Sequence, residues 1–361
     1  MIGTNKVMNK IAVITGANGM DAKTLTHFLL NKGYTIILTY RRNSYFDIDN
    51  IKNIFRDDLI KNVTSKLMFD VCDISCQNSV IECIKSILKL HNKIDEVYHL
   101  AAMSHVGNSF KQKELSILVN GQSNYYFLEA LKEYSPSTRY YGAMTSELVG
   151  GMESGVFNEN CKWHPRSPYA IGKALGARWI DFYRESSDLN MFCCYGILFN
   201  HSNCYRSSDF FIRKITSAAA KISVGKLQNI SLGNLNFWRD EHWSDFGCEM
   251  MWKILQLKVP DNFVIGTGQA HHGEEYLDLT FKYFNLDWKK YVKFDENLIR
   301  PNEVIRLVSD SSKAQKILKW SPNRISFEDH LKLMCKYDYE TELNLNPTIP
   351  NVFDKYPIID N

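Results

Sequence analysis

Lys10-Ile11-Ala12-Val13-Ile14-Thr15-Gly16-Ala17-Asn18-Gly19-Met20-Asp21-Ala22-Lys23 is the stretch on which the fold turns. A short apolar run ends at Thr15, glycines follow at 16 and 19, and a helical pattern, Lys23–Asn31, opens directly behind them. A run of this kind reads as a buried strand, and the two glycines let the backbone turn tightly and approach a ligand closely. The amino end of the next helix faces that turn, where unpaired N–H groups and the helix dipole favour a pyrophosphate. Ala22 stands where dinucleotide-binding loops usually carry a third glycine, and it is small enough to keep the helix near the sheet. A glycine pattern alone is weak evidence; placed between the first strand and the first helix, it is a candidate cofactor loop.

Working outward, apolar runs and amphipathic helix-length segments alternate through the first half. Thr35–Tyr40, Leu67–Asp70, Glu96–Leu100 and Arg139–Ala143 read as strands, with Ser79–Leu90 a clear helix between two of them. A long helix begins near Pro168 and a strand, Phe192–Phe199, follows it. This rhythm predicts a Rossmann-type α/β fold, a doubly wound parallel sheet covered on both faces. The alternation weakens near residue 200, and Trp, Tyr and Arg become frequent. The expectation is a cofactor-binding domain over 1–199, with about 259–267 returning to the sheet, and a smaller substrate-binding portion over 200–361.

Composition narrows the function. Of 361 residues, 45% are hydrophobic and 23% charged, and the formal net charge is only +3. With no long basic run, neither nucleic acid nor an acidic membrane surface is implied as a partner. Residues 1–9 are polar, and no window approaches the ~18 apolar residues of a membrane span. Nine cysteines lack zinc-like spacing or a CxxC pair, which predicts reduced thiols in a cytoplasmic protein and no metal site.

The second strand ends in Thr39-Tyr40-Arg41-Arg42. An NAD site places an acidic residue there for the ribose 2′-hydroxyl; Arg41 and Arg42 suit the 2′-phosphate of NADP. Further on, Tyr169 and Lys173 lie four residues apart on one helix face. A free phenol has a pKa of about 10, and a nearby ammonium favours the phenolate, so the pair can take a hydroxyl proton during hydride transfer. The fifth strand ends in Thr145-Ser146-Glu147, where such sheets place their chemistry. Thr145 can bond the hydroxyl that Tyr169 deprotonates. Glu147 is the informative residue, because simple carbinol redox needs no extra carboxylate, whereas loss of a proton from a neighbouring carbon does.

Thr145-Ser146-Glu147 with Tyr169 and Lys173 resembles the catalytic set of the GDP-mannose 4,6-dehydratases, a family of extended short-chain dehydrogenases. The resemblance covers roughly residues 9 to 335 and includes Leu38–Arg42, Ser104-His105-Val106, Arg166–Tyr169, Gly196–His201, Arg213-Lys214-Ile215 and Arg300–Glu303. It implies a lyase that removes water from a GDP-linked hexose or heptose to leave a 4-keto-6-deoxy sugar. Tyr169 takes the O4 proton while C4 gives a hydride to NADP; Glu147 takes the C5 proton and helps the C6 hydroxyl leave; the hydride returns to C6. The resemblance places cofactor contacts at Gly16, Gly19, Asp21, Arg41, Asp73, Ile74, Ala102, Ser104, His201 and Arg206. It places substrate contacts at Ser104, Asn200, Lys214, Arg239, Arg300 and Glu303. It also implies a homo-oligomer, dimer or tetramer.

The chain departs from the family pattern at several points. Met144 stands for a serine, Met103 for a glutamine, His99 for an asparagine and Val149 for a tyrosine, while Asn50 replaces an arginine of the family's subunit-contact loop. Around Arg239–Asp245 it is one residue shorter than its relatives, so the sugar pocket is altered. A sugar-nucleotide 4-epimerase or 4-reductase would use Tyr169 and Lys173 without Glu147, and is the alternative reading.

Overall fold

The computed structural model describes residues 10–42, 66–150, 155–299, 304–347, 349–350 and 352–358. Arg300 and Glu303, both expected to touch substrate, and Asn50 lie outside the described residues. The chain divides into two compact units. One comprises Met1–Met144, Ser167–Gly196 and Met251–Asn262; the other comprises Thr145–Arg166, Ile197–Met250 and Phe263–Asn361.

The first unit is built on β1 (Ile11–Thr15), β2 (Thr35–Tyr40), β3 (Leu67–Val71), β4 (Glu96–His99) and β5 (Arg139–Thr145). The short β6 (Val156–Phe157) belongs to the second unit, and β7 (Cys193–Leu198) begins in the first and runs on into the second. The strand order is β7-β5-β4-β1-β2-β3, and β11 (Phe263–Ile265) beside β7 brings the sheet to seven strands. Pairs β1–β2, β2–β3, β1–β4 and β4–β5 are parallel. All five residues of β1 are buried, as befits a strand covered on both faces. Helices α1 (Met20–Asn31), α2 (Gln77–His91), α3 (Ser123–Tyr134) and α4 (Pro168–Glu185) make the crossovers. The sequence reading of a doubly wound parallel sheet therefore holds, although α1 starts three residues before the expected Lys23.

At the amino edge of this sheet, Glu96 is wholly buried and collects four donors. Lys10 Nζ (2.9 Å), Gln256 Nε2 (3.1 Å) and the Tyr34 hydroxyl (3.2 Å) donate to Oε1, and the Tyr98 hydroxyl (2.8 Å) donates to Oε2. Trp252 Nε1 donates to the Tyr34 oxygen at 3.0 Å. The network fastens the 251–262 segment to the sheet, and its cost of burial is met only because both carboxylate oxygens are occupied.

The second unit carries β8 (Asn200–Ser202), β9 (Ile230–Leu232), β10 (Trp238–Trp243), β12 (Ala270–His272), β13 (Val292–Phe294) and β14 (Arg306–Ser309). Strand β10 is central: β12 and β14 flank it, β6 follows β14, and β8 also pairs with β10. Helices α5 (Phe211–Ser223), α6 (Ser244–Leu255, which continues into the first unit), α7 (Gly273–Tyr283) and α8 (Phe327–Glu342) complete it. A strand was not expected at Trp-Arg-Asp-Glu-His-Trp, since polar residues in a row give no apolar alternation. It is buried because its side chains find partners. Asp240 alone accepts from Thr267 N and Oγ1 (both 2.7 Å), Gly268 N (2.9 Å), Ser309 N (3.0 Å) and Ser309 Oγ (2.5 Å).

Removing the Glu96 carboxylate leaves two buried tyrosine hydroxyls without their acceptor and Lys10 with only Gln256 Oε1. Glu96→Ala is therefore expected to lower stability by about 3 kcal/mol, read as a lower urea midpoint. An unchanged midpoint would show that the network contributes nothing.

Candidate active site

Gly16 ends β1 with φ +85°, a conformation that side-chain-bearing residues rarely adopt. A Cβ on it would stand 2.9 Å from Ala101 Cα, so the loop after β1 rests directly on the chain leaving β4. Thr15 fixes that contact, its hydroxyl oxygen accepting from Leu100 N (3.0 Å) and Ala101 N (2.9 Å). His99 completes it, with Nδ1 3.0 Å from Thr15 Oγ1 and Nε2 2.8 Å from Ser123 Oγ. Ser123 donates to Val119 O at 2.7 Å, so it accepts from His99 Nε2–H, which leaves Nδ1 to accept the Thr15 proton. Burial, aided by the charge of Lys173, lowers the His99 pKa to about 3 and keeps this tautomer neutral.

The other expected cofactor residues follow the carboxyl ends of neighbouring strands, at the point where strand order reverses between β1 and β4. Gly19 and Asp21 open α1, and exposed Arg41 and Arg42 follow β2. After β3, Asp73 accepts from Ser75 N (3.0 Å) and Ser75 Oγ (2.6 Å), beside buried Ile74. After β4 come Ala102 and exposed Ser104, with Met103 between them clasped by Asn120. Asn120 Oδ1 accepts from Met103 N (3.0 Å), and Nδ2 donates to Met103 O (3.3 Å). The sequence reading missed Asn120. It lies in a π-helical turn, Leu118–Gln122, and only the Asn-Gly pair inside a helical pattern hints at it.

That turn also seats the helix that carries Tyr169 and Lys173. Cβ atoms on Gly121 or Gly172 would fall 2.7 Å from Gly172 O and 3.0 Å from Asn120 Cβ respectively, so the backbones approach as only glycine permits. Ser167 caps α4 by accepting from Ala170 N at 3.1 Å, with Pro168 in the first turn. Tyr169 and Lys173 are thereby buried on one face, and Lys173 Nζ donates to Ala143 O at 2.7 Å. Desolvation lowers the Lys173 pKa to about 8, against the opposing pull of the Asp21 carboxylate.

In the second unit, Thr145 Oγ1 accepts from Glu147 N at 3.3 Å and caps the short helix Ser146–Val149. Glu147 is half-buried there. A Cβ on Gly150 would lie 3.6 Å from its Oε2 and 2.7 Å from Val304 Cγ2, so glycine leaves the carboxylate its room. The pairing of β8 with β10 sets Asn200 opposite Glu241 and His201 opposite His242, and the latter rings stack with centroids 5.2 Å apart. His201 Nδ1 lies 2.8 Å from Phe199 O, and the Arg206 guanidinium covers the Phe210 ring at 3.6 Å. Buried Arg239 donates to Trp238 O (3.0 Å) and covers Phe237 at 5.1 Å. Lys214 donates to Ser231 O at 2.6 Å. The second unit thus gathers Asn200, His201, Arg206 and Arg239 around one strand pair.

A lysine whose folded pKa is lowered below 10.5 releases its proton earlier in the folded state. Between about pH 8 and 10.5 the unfolded chain holds more protons, so stability gains from this group as pH rises. Compared with Lys173→Met, the wild-type urea midpoint is expected to climb between pH 8 and 10; parallel curves would contradict burial of a titrating ammonium.

Three comparisons bear on this arrangement. The family model for GDP-mannose 4,6 dehydratase matches residues 13–334. The chain is 39% identical over 339 residues to GDP-mannose 4,6 dehydratase 2 of Arabidopsis thaliana, covering 92% of this chain and 87% of that one. It is 34% identical over 358 residues to the Homo sapiens GDP-mannose 4,6 dehydratase, covering 93% of each. Solved structures of similar fold include a UDP-glucose 4-epimerase of Thermotoga maritima (TM-score 0.77, 20% identity, 92% of this chain and 99% of that one). A dTDP-glucose 4,6-dehydratase of Bacillus anthracis in complex with NAD is another (TM-score 0.76, 18% identity, 93% and 98%). A family match over residues 13–334, with relatives 34–39% identical along more than nine-tenths of the chain, makes this chain a member of the GDP-mannose 4,6-dehydratase family.

Proposed function

We propose that the protein is an NADP-dependent nucleotide-sugar 4,6-dehydratase that acts on a GDP-linked hexose of the mannose type or a GDP-heptose. Glu147 carries the reading: it stands in the turn capped by Thr145, at the end of β5. An epimerase or reductase working at C4 has no task for a carboxylate there, and resemblance of fold to an epimerase does not supply one.

The residues present fit a dinucleotide. Gly16 and Gly19 make the tight turn directly before α1, the amino end of that helix favours the charge of a pyrophosphate, and Arg41 and Arg42 are exposed where a 2′-phosphate would lie. Bound NADP would take the C4 hydride and give it back at C6, so the reaction has no net redox change. Tyr169 accepts the O4 proton, and the Lys173 ammonium favours the phenolate. Thr145 holds the O4 oxygen. The resulting 4-ketone acidifies C5–H, which Glu147 removes, and the same carboxyl then delivers a proton to the departing C6 hydroxyl, so one water leaves; when the hydride returns to C6, C5 takes up one proton, which balances the proton that Tyr169 accepted from O4. Asn200, Lys214 and Arg239, with Arg300 and Glu303, hold the nucleotide; the arginines and lysine suit a diphosphate. We further read the protein as a cytoplasmic homo-oligomer, as in the family.

Incubated with GDP-mannose, and separately with a GDP-heptose, the protein is expected to give a product lighter by one water without added NADPH. Glu147→Gln is expected to lower kcat by about a thousandfold while cofactor stays bound. Change of stereochemistry without loss of mass, surviving in Glu147→Gln, would make the protein an epimerase. For the cofactor, Arg41→Ala with Arg42→Ala is expected to cut the preference for NADP over NAD by about tenfold or more, measured by titration of each. Equal preference before and after would remove both arginines from the site.

A further inference from the structure

Glu241 has no part in the chemistry above, yet it lies within the ligand-facing portion of β10. It is two residues from Arg239, hence on the same strand face, and in register with Asn200 of β8. It is 5% exposed. Its Oε2 has the Tyr276 hydroxyl only at 3.5 Å, and no donor among the described residues reaches Oε1. The contrast with its neighbour Asp240, which accepts five short hydrogen bonds, is direct. A buried carboxyl so poorly supplied with donors is costly to ionise.

What favours its charge is Ser202 on β8, together with the positive fields of Arg206 and His201. Asp240 opposes it, and burial dominates all of these, bringing the carboxyl to about 7. The other charged and titratable groups around it are Arg239 on its own strand, Tyr276 on α7, His271 on β12 in register with Arg239, and His330 on α8 against Trp243. Burial holds His330 at about 3, so it stays neutral near pH 7.

We propose that Glu241 links ligand capture to proton uptake: when the diphosphate of a nucleotide sugar engages Arg239, the Glu241 carboxyl takes up a proton. This rests on the reading of Arg239 as a substrate contact. The physical reason is reciprocal. An anion held at Arg239, two residues away on the same strand face, cancels positive charge there and adds negative charge beside the carboxylate, so the neutral form is favoured. By linkage, an ionised Glu241 must weaken binding of the anion by the same factor.

The test uses a Tyr169→Phe background, which blocks turnover, and GDP-mannose, whose diphosphate diester does not titrate between pH 6 and 8.5. Calorimetry in two buffers of different ionisation enthalpy counts protons. The expected result is uptake of about half a proton per ligand at pH 7.5, and affinity falling about five- to tenfold from pH 6 to 8.5. In Tyr169→Phe with Glu241→Gln, both the uptake and the slope should largely vanish, with tighter binding at pH 8.5; Glu241→Met serves if the glutamine variant does not fold. Equal uptake and slope with and without Glu241 would overturn the coupling while leaving the dehydratase intact. Failure of the Tyr169→Phe protein to bind GDP-mannose at any pH would instead overturn the ligand assignment itself.

Discussion

The hydroxyl of Thr15 is the interaction on which the loops of the proposed cofactor site depend. One oxygen accepts two backbone N–H groups from the chain leaving β4 and gives its own proton to His99. That holds Ala101 against Gly16 at a spacing no side chain could tolerate. The loop after β1 and the loop after β4 are thus one rigid piece, and they flank the place where the strand order reverses. Through Ser123 the same chain of hydrogen bonds reaches Val119, in the π-helical turn against which Tyr169 and Lys173 are seated. The glycine loop and the helix of Tyr169 and Lys173 therefore share a single set of constraints within one compact unit.

Buried charge is handled in two ways. Glu96 and Asp240 are surrounded by donors, which makes each a fastening point: one ties the 251–262 segment to the sheet, the other ties β10 to β14 and to the turn at Thr267. Lys173 and Glu241 are instead left short of compensation, and both shift toward neutrality, to about 8 and about 7. Groups held near the point of titration can change charge at small cost when a ligand arrives. The two anchoring carboxylates are saturated with partners, and the two groups in the proposed site are not.

How much of this is legible in the sequence follows from the same physics. Strands buried on both faces read as apolar runs, so β1, β2 and β4 are found to within a residue or two, and the glycine loop and the Tyr169–Lys173 pair announce themselves by spacing. Strand β10 does not, because its burial is supported by hydrogen bonds from residues 27 and 69 positions away, which no local pattern records. Asn120 escapes for a similar reason: an asparagine in a helix reads as a weak helix former, and its clasp on Met103 exists only once the chain has folded. His99 reads as a departure from the family's asparagine, and only its two hydrogen bonds show that it joins the end of β1 to the start of α3.

The departures from the family pattern among the described residues fall in two places. His99, Met103, Met144 and Val149 lie at the ends of β4 and β5 or in the turns that follow them, while Thr145 and Ser167 still cap the turns that carry Glu147, Tyr169 and Lys173. The other place is Arg239–Asp245, where the chain reads one residue shorter, on a strand whose neighbours Asn200, His201 and Arg206 face the ligand in the proposed site. Asp240 ties β10 to β14 and to the turn at Thr267, and alternate side chains of a strand point to opposite faces. One face thereby keeps β10 in its sheet, while the face of Arg239 and Glu241 is free to differ in the proposed ligand pocket.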